Sequence, residues 1–214
     1  METNPPKGSI ALVFKEERPT EKKLGGLAIA SSLYAVTGPL GNPALPKDVG
    51  SVVCIGYELG IAHVLSVARY LQKKGNKNFG IVGASTKRNL IMESQMRLCC
   101  QSISVMTQDG TIGKKGFVTD ALEGILSQYP INQIFVAGPT PIIQEVISIA
   151  ARKNGKVMAV LQPFALSGIA FCGTDEIKVG NDYVGLSTEG LIFDAESVDF
   201  KIYDTKRVSS YEQD

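Results

Sequence analysis

The chain has no tryptophan, one histidine and four cysteines, and no apolar run long enough to span a bilayer. It also has almost no charge imbalance: 22 Lys and Arg against 21 Asp and Glu, a formal net charge of +1. Near-neutrality removes the electrostatic case for nucleic acid or an anionic membrane as partner. His63 is the only histidine, which leaves one candidate for a Ser-His-Asp triad, and no nucleophile elbow accompanies it. Cys54, Cys99, Cys100 and Cys172 have no zinc-type CxxC spacing and no disulfide-framework pattern. The N-terminus, METNPPKGS, lacks the basic and apolar regions of a signal peptide, so the expected compartment is the cytoplasm.

What is present is the composition of a soluble globular protein, with 44% hydrophobic and 20% charged residues in 214. SIALVF and SSLYAVTG, in the first 40 residues, read as short strands. GPLGNPALP (Gly38 to Pro46) is too rich in Gly and Pro for regular structure and marks a boundary.

From Val49 to Val160 short apolar runs alternate with amphipathic ones. SVVCIG, FGIVGAS, SISVMTQDG, QIFVAGP and KVMAVLQP read as strands. IAHVLSVARYLQKKGN, TKRNLIMESQMRLC, FVTDALEGILSQYP and PIIQEVISIAARKNG read as the helices between them. This alternation predicts a parallel sheet covered on both faces. Beyond Leu161, EIKVG and DYVGLS read as a hairpin turning at Gly180-Asn181-Asp182, and DTKRVSSYEQD as a frayed polar end.

In such sheets ligands bind beyond the carboxyl ends of the strands. The first strand ends at Gly56-Tyr57-Glu58-Leu59-Gly60, directly before a helix. A turn of this kind can bring a pyrophosphate to the helix N-terminus, or be an ordinary tight βα turn. The second ends at Gly83-Ala84-Ser85-Thr86-Lys87-Arg88: hydroxyls and cations for a ribose or a 2′-phosphate, or a plain helix cap with solvated cations. The third runs into Thr107 to Asp120, where Asp109 and Gly110 open a loop with glycines at 110, 113 and 116. The fourth ends at Gly138-Pro139, which would let a planar ring approach the backbone.

GPLGNP (Gly38 to Pro43), GYELGIA (Gly56 to Ala62), IVGAS (Ile81 to Ser85), TQDGTIGKKGFVTD (Thr107 to Asp120), AGP (Ala137 to Pro139) and EGLIFDAESVDF (Glu189 to Phe200) stand in order along nearly the whole chain. Taken together they resemble the small electron-transfer subunits of NADH-dependent ferredoxin:NADP oxidoreductase, sulfide dehydrogenase and dihydroorotate dehydrogenase, which are ferredoxin-reductase-like. The resemblance implies an α/β fold in three parts. A partial flavin-type β-barrel segment spans residues 1–46, an NAD(P)-binding parallel-sheet domain 47–160, and a degenerate [2Fe-2S]-type tail 161–214.

It also implies a set of sites. Gly56, Gly60, Gly83, Ser85, Asp109, Gly110, Gly138 and Pro139 would hold NAD(H) or NADP(H), and Thr20 matches a flavin pyrophosphate contact. The family's Arg-x-x-Ser/Thr flavin segment has no counterpart, since KGSIALVF resembles the strand that follows it. FAD is therefore expected only with a partner, a larger flavin or iron–sulfur oxidoreductase subunit. The family's cluster ligands fall at Ser167, Cys172, Asp175 and Ser187, a single thiolate among oxygen side chains, so no [2Fe-2S] cluster and no other metal is expected. In the family's GGGVGIAP-like turn, Tyr57 and Glu58 replace glycines and His63 a proline. Glu58 is expected to repel a pyrophosphate, and His63 is either a phosphate contact or a plain helix residue. No residue is expected to catalyse; the chain's work would be positioning. The second reading is a cofactor-depleted paralogue kept as a structural or regulatory subunit.

Overall fold

A computed structural model describes residues 2–4, 8–36, 49–162 and 175–212. GPLGNP, Ser167 and Cys172 lie outside the described residues. The chain divides into two compact units. One comprises Leu45–Gln162 and Ile192–Ser197; the other comprises Met1–Ala44, Pro163–Leu191 and Val198–Asp214.

The larger unit is the expected alternation. Strands β3 (Ser51–Tyr57), β4 (Lys77–Ala84), β5 (Ser102–Thr107), β6 (Lys114–Lys115), β7 (Gln133–Ala137) and β8 (Lys156–Val160) are joined by α2 (Gly60–Lys73), α3 (Glu93–Arg97), α4 (Val118–Gln128) and α5 (Thr140–Ala151). With β11 (Ile192–Asp194) they form one sheet in the order β11-β8-β7-β3-β4-β5-β6. All neighbours are parallel except β11, which runs antiparallel to β8. The chain moves one way from β3 through β5, then returns past β3 to β7 and β8. Right-handed crossovers therefore put α2 and α3 on one face and α4 and α5 on the other. The topological switch point lies between β3 and β7.

Burial on both faces explains the unbroken apolar strands. Val52, Val53, Cys54 and Ile55 are fully buried in β3, and Ile61, Val64, Leu65, Ala68 and Leu71 of α2 cluster with Val52 and Cys54 on one face of it. Two buried asparagines tie loops to this core. Asn76 Oδ1 accepts from the N–H groups of Val49 and Gly50, and Asn78 Nδ2 donates to the carbonyls of Ala68 and Cys99.

The structure departs from the sequence reading in four places. The helix expected over 86–99 is reduced to a single 3₁₀ turn, Lys87–Asn89, and the five residues of α3. Thr111 holds the Lys87 N–H and the Asn89 amide bonds Ser85, so this stretch is tied into a loop, and Met92 takes a left-handed φ of 53°. Residues 31–36 lie outside any strand, with Tyr34 fully exposed. KVMAVLQP does not end the sheet, because IFD of the tail returns as β11, and just beyond it the Ala195 N–H donates to the Val157 carbonyl. DTKRVSSYE lies within helix α7 (Phe200–Glu212). Asp199 Oδ1 accepts from the N–H groups of Lys201 and Ile202 at its start, which satisfies two of the first-turn donors.

The smaller unit contains an antiparallel pair, β1 (Glu2–Asn4) with β2 (Ser9–Ala11), and helix α1 (Pro19–Gly25). The expected hairpin forms from β9 (Glu176–Val179) and β10 (Asp182–Gly185) and leads into the single turn α6 (Leu186–Glu189). Its small core includes Ile177, Leu186, Phe200 and Tyr203.

Candidate functional site

The nucleotide-site residues named from sequence all stand at or beside the carboxyl edge of the parallel sheet. Gly56, in β3, is fixed by the helix that follows: a Cβ there would sit 2.6 Å from Ile61 Cα. Gly60 opens α2, and a Cβ on it would lie 2.2 Å from the Ala137 carbonyl oxygen, at the end of β7. At the switch point the start of α2 and the end of β7 are therefore in close backbone contact, with Gly138 and Pro139 continuing from the same strand end into α5. The Pro139 carbonyl accepts from the N–H groups of Ile142 and Ile143.

Two of the turn residues fill space. Tyr57 is 7% exposed and lies over two glycines: added Cβ atoms would meet its Cδ2 at 3.3 Å from Gly83 and its Cβ at 3.1 Å from Gly138. Its hydroxyl accepts a hydrogen bond from Gln108 Nε2 at 2.9 Å. Burial, followed by the nearby Glu58, raises its pKa above the ordinary phenol value.

Glu58 takes a left-handed φ of 48° and its N–H donates to the Gly83 carbonyl at 2.8 Å. Its Oε1 accepts from the Ser85 hydroxyl at 2.8 Å, the Ser85 N–H at 3.3 Å and Asn89 Nδ2 at 3.3 Å. The carboxylate is thus bonded to the end of β4. The same strand end carries Asn89 Nδ2 donating to Ser85 Oγ at 2.7 Å. Sequence reasoning named Ser85 but not Asn89 or Gln108. The signal for Asn89 was its spacing four residues beyond Ser85; nothing local marks Gln108.

Asp109 and Gly110 sit at the end of β5. Asp109 Oδ1 accepts from the Thr111 N–H at 3.0 Å and hydroxyl at 2.7 Å, which hold the carboxyl below its ordinary pKa. Thr111 Oγ1 in turn accepts the Lys87 N–H at 2.8 Å, so the ends of β4 and β5 are joined. Gly110 has φ 76°, and Gly113 has φ 68° with a Cβ position only 2.2 Å from the Val105 carbonyl oxygen, so only glycine fits this loop. His63 lies in α2, and burial lowers its pKa to about 4. That keeps the imidazole neutral near pH 7, a poor partner for a phosphate.

The other named residues belong to the smaller unit. Thr20 is exposed in the first turn of α1. Asp175 is 6% exposed, and its Oδ2 accepts from the Ser187 N–H at 2.8 Å and from the Ser187 hydroxyl. Two of the four cluster-spaced positions therefore meet and bond each other. These oxygen donors are a poor match for an iron–sulfur cluster, which is held by soft thiolates. Among the described residues no group of His, Cys, Asp and Glu is placed to hold a metal ion, and no helix is long and apolar enough to cross a membrane.

No protein-family model matches the chain. It is 29% identical over 213 residues to the dihydroorotate dehydrogenase B (NAD(+)) electron transfer subunit homolog of Thermotoga maritima, covering 99% of this chain and 74% of that one. It is 25% identical over 168 residues to the probable subunit of the same name from Methanocaldococcus jannaschii, spanning 64% of that protein's length. Among solved structures it matches a chain of the NADH-dependent reduced ferredoxin-NADP oxidoreductase, with TM-score 0.81, 26% identity, and coverage of 99% of this chain and 79% of that one. Over nearly its whole length the chain is therefore similar in sequence and in fold to electron-transfer subunits of the ferredoxin-reductase-like kind.

Proposed function

We propose that the chain binds a nicotinamide dinucleotide, NAD(H) or NADP(H), along the carboxyl edge of its parallel sheet. It would serve as the electron-transfer subunit of a flavin-dependent oxidoreductase complex in the cytoplasm, passing electrons to a larger partner subunit. The observation that carries this reading is the approach of Gly60 to Ala137 at the switch point, where the start of α2 meets the end of β7. A doubly wound sheet binds dinucleotides at this place.

The residues assigned are Gly56 and Gly60 for the tight strand–helix packing that forms the turn, Ser85 for the ribose side, and Gly138 and Pro139 for the nicotinamide side. Asp109 and Gly110 shape the neighbouring loop. The protein orients the nicotinamide and restricts water. A flavin, when bound, supplies the exchange of hydride for single electrons. Thr20 is the one described residue assigned to it, so we assign FAD to a site completed by the partner. The Asp175–Ser187 pair does not suit a [2Fe-2S] cluster, and no electron path is drawn through that position.

The bonded Asp175–Ser187 pair and the bulk of Tyr57 favour a second reading, a cofactor-depleted structural or regulatory subunit. Calorimetric titration with NADH separates the two. Saturable one-to-one binding in the micromolar range supports the first. No heat of binding at millimolar NADH would leave the second. An anaerobic absorption spectrum with the partner present then reports whether a bound flavin bleaches on adding NADH.

A further inference from the structure

Glu58 is a non-glycine residue held in left-handed backbone, with φ 48°. Such a residue is retained only where its surroundings fix it. Here the N–H donates to Gly83, and the side chain reaches across to Ser85 and Asn89 at the end of the neighbouring strand. The carboxylate thus comes from the end of β3 but stands at the end of β4.

In doubly wound folds the end of the second strand meets the adenosine ribose. An acidic group there accepts hydrogen bonds from the ribose hydroxyls, whereas an arginine accommodates a 2′-phosphate. The strand's own end, Ala84-Ser85-Thr86, has no acidic residue. We propose that Glu58 is the specificity residue of this site, reading a free ribose 2′-hydroxyl and selecting NAD(H) over NADP(H). This rests on the dinucleotide-binding reading above.

Charge decides the direction. A 2′-phosphate would bring a dianion beside the half-buried Glu58 carboxylate, which accepts from the Ser85 hydroxyl, the Ser85 N–H and Asn89 Nδ2. Lys87 and Arg88, which follow in sequence, are both exposed, so solvent and salt screen them. A ribose hydroxyl, by contrast, donates to Glu58 in the way the Ser85 hydroxyl does, and the Asn89 amide holds the carboxylate in place for it.

The test is titration of the full chain and of Glu58→Gln with NADH and NADPH. The glutamine keeps size and shape and removes the charge. The unmodified chain is expected to bind NADH at least about tenfold more tightly than NADPH, since like-charge contacts carry strong discrimination. The variant is expected to bring the two within about threefold, mainly by tightening NADPH. Equal affinities in the unmodified chain, or an unchanged ratio in the variant, would overturn the assignment. A second measurement needs no variant: ADP-ribose should displace NADH from the unmodified chain far better than 2′-phospho-ADP-ribose, and equal displacement would overturn the proposal. Binding of neither NADH nor NADPH would overturn the dinucleotide reading itself, and this inference with it.

Discussion

Tyr57 and Gln108 join the ends of β3 and β5 across the intervening strand β4, with Gln108 Nε2 donating to the Tyr57 hydroxyl at 2.9 Å. The phenol ring lies over Gly83 of β4, so one buried side chain covers three strand ends. Removing only the hydroxyl, as in Tyr57→Phe, should lower stability by about 1 kcal/mol, because Gln108 loses its acceptor. Tyr57→Ala should cost about 3–5 kcal/mol by opening a cavity. Urea unfolding of both variants measures the difference; equal losses would show that the ring contributes nothing.

Gly60 cannot carry a side chain without displacing backbone. Gly60→Ala would place its Cβ 2.2 Å from the Ala137 carbonyl oxygen. The gain in helix propensity, about 1 kcal/mol, is outweighed by the cost of forcing α2 away from β7. A net loss of about 1–3 kcal/mol in thermal or urea unfolding is expected, together with weaker NADH binding. A more stable Gly60→Ala variant would contradict the packing.

His63 makes stability depend on pH. Burial lowers its folded pKa to about 4, from 6.5 in an unfolded chain. Above pH 6.5 both states are neutral and the residue contributes no slope. As pH falls from 6.5 towards 4, the unfolded chain takes up the proton first. Folding stability then drops by up to about 3 kcal/mol, and this contribution levels off below pH 4. His63→Gln should flatten that part of the curve. An unaltered slope between pH 6.5 and 4 would show that the imidazole is solvated.

The thiols near the core should be unreactive. Burial, then the neighbouring Cys99, pushes Cys100 up to about 12, and burial raises Cys54 well above its ordinary value. At pH 8 roughly one Cys100 in ten thousand is then a thiolate. Iodoacetamide at pH 8 should leave both cysteines intact in the native protein and modify them in urea, as read by mass spectrometry of peptides. Native labelling of Cys100 at the rate of a free thiol would refute its burial.

Asp175 and Ser187 should hold their part of the smaller unit without metal. A chelator is expected to leave the melting temperature unchanged, and iron and labile sulfide are expected to be absent after anaerobic purification. Asp175→Leu removes the acceptor for the Ser187 N–H and hydroxyl and should cost about 1–3 kcal/mol. Stoichiometric iron in the purified protein would contradict the assignment.

The strand–helix alternation from Val49 to Val160 was legible in the sequence because it rests on local pattern: apolar runs such as SVVCIG are short, rich in β-branched residues and bounded by glycine, which reads as strands buried on both faces. The glycines at the strand ends were legible for the same reason, since Gly56, Gly60 and Gly83 punctuate predicted boundaries. So was the hairpin turning at Gly180, where φ is 62°. Only tertiary structure decided where Glu58 points. Its partner Ser85 is 27 residues away, and the contact exists because β3 and β4 are neighbours. The same holds for Tyr57 over Gly138, for β11 returning to β8, and for Ser187 meeting Asp175. The loop at 86–92 follows this pattern, since bonds to Thr111 and Ser85 overrode a helical sequence. Local pattern specifies which elements form; which side chains meet is set by how the crossovers order the strands.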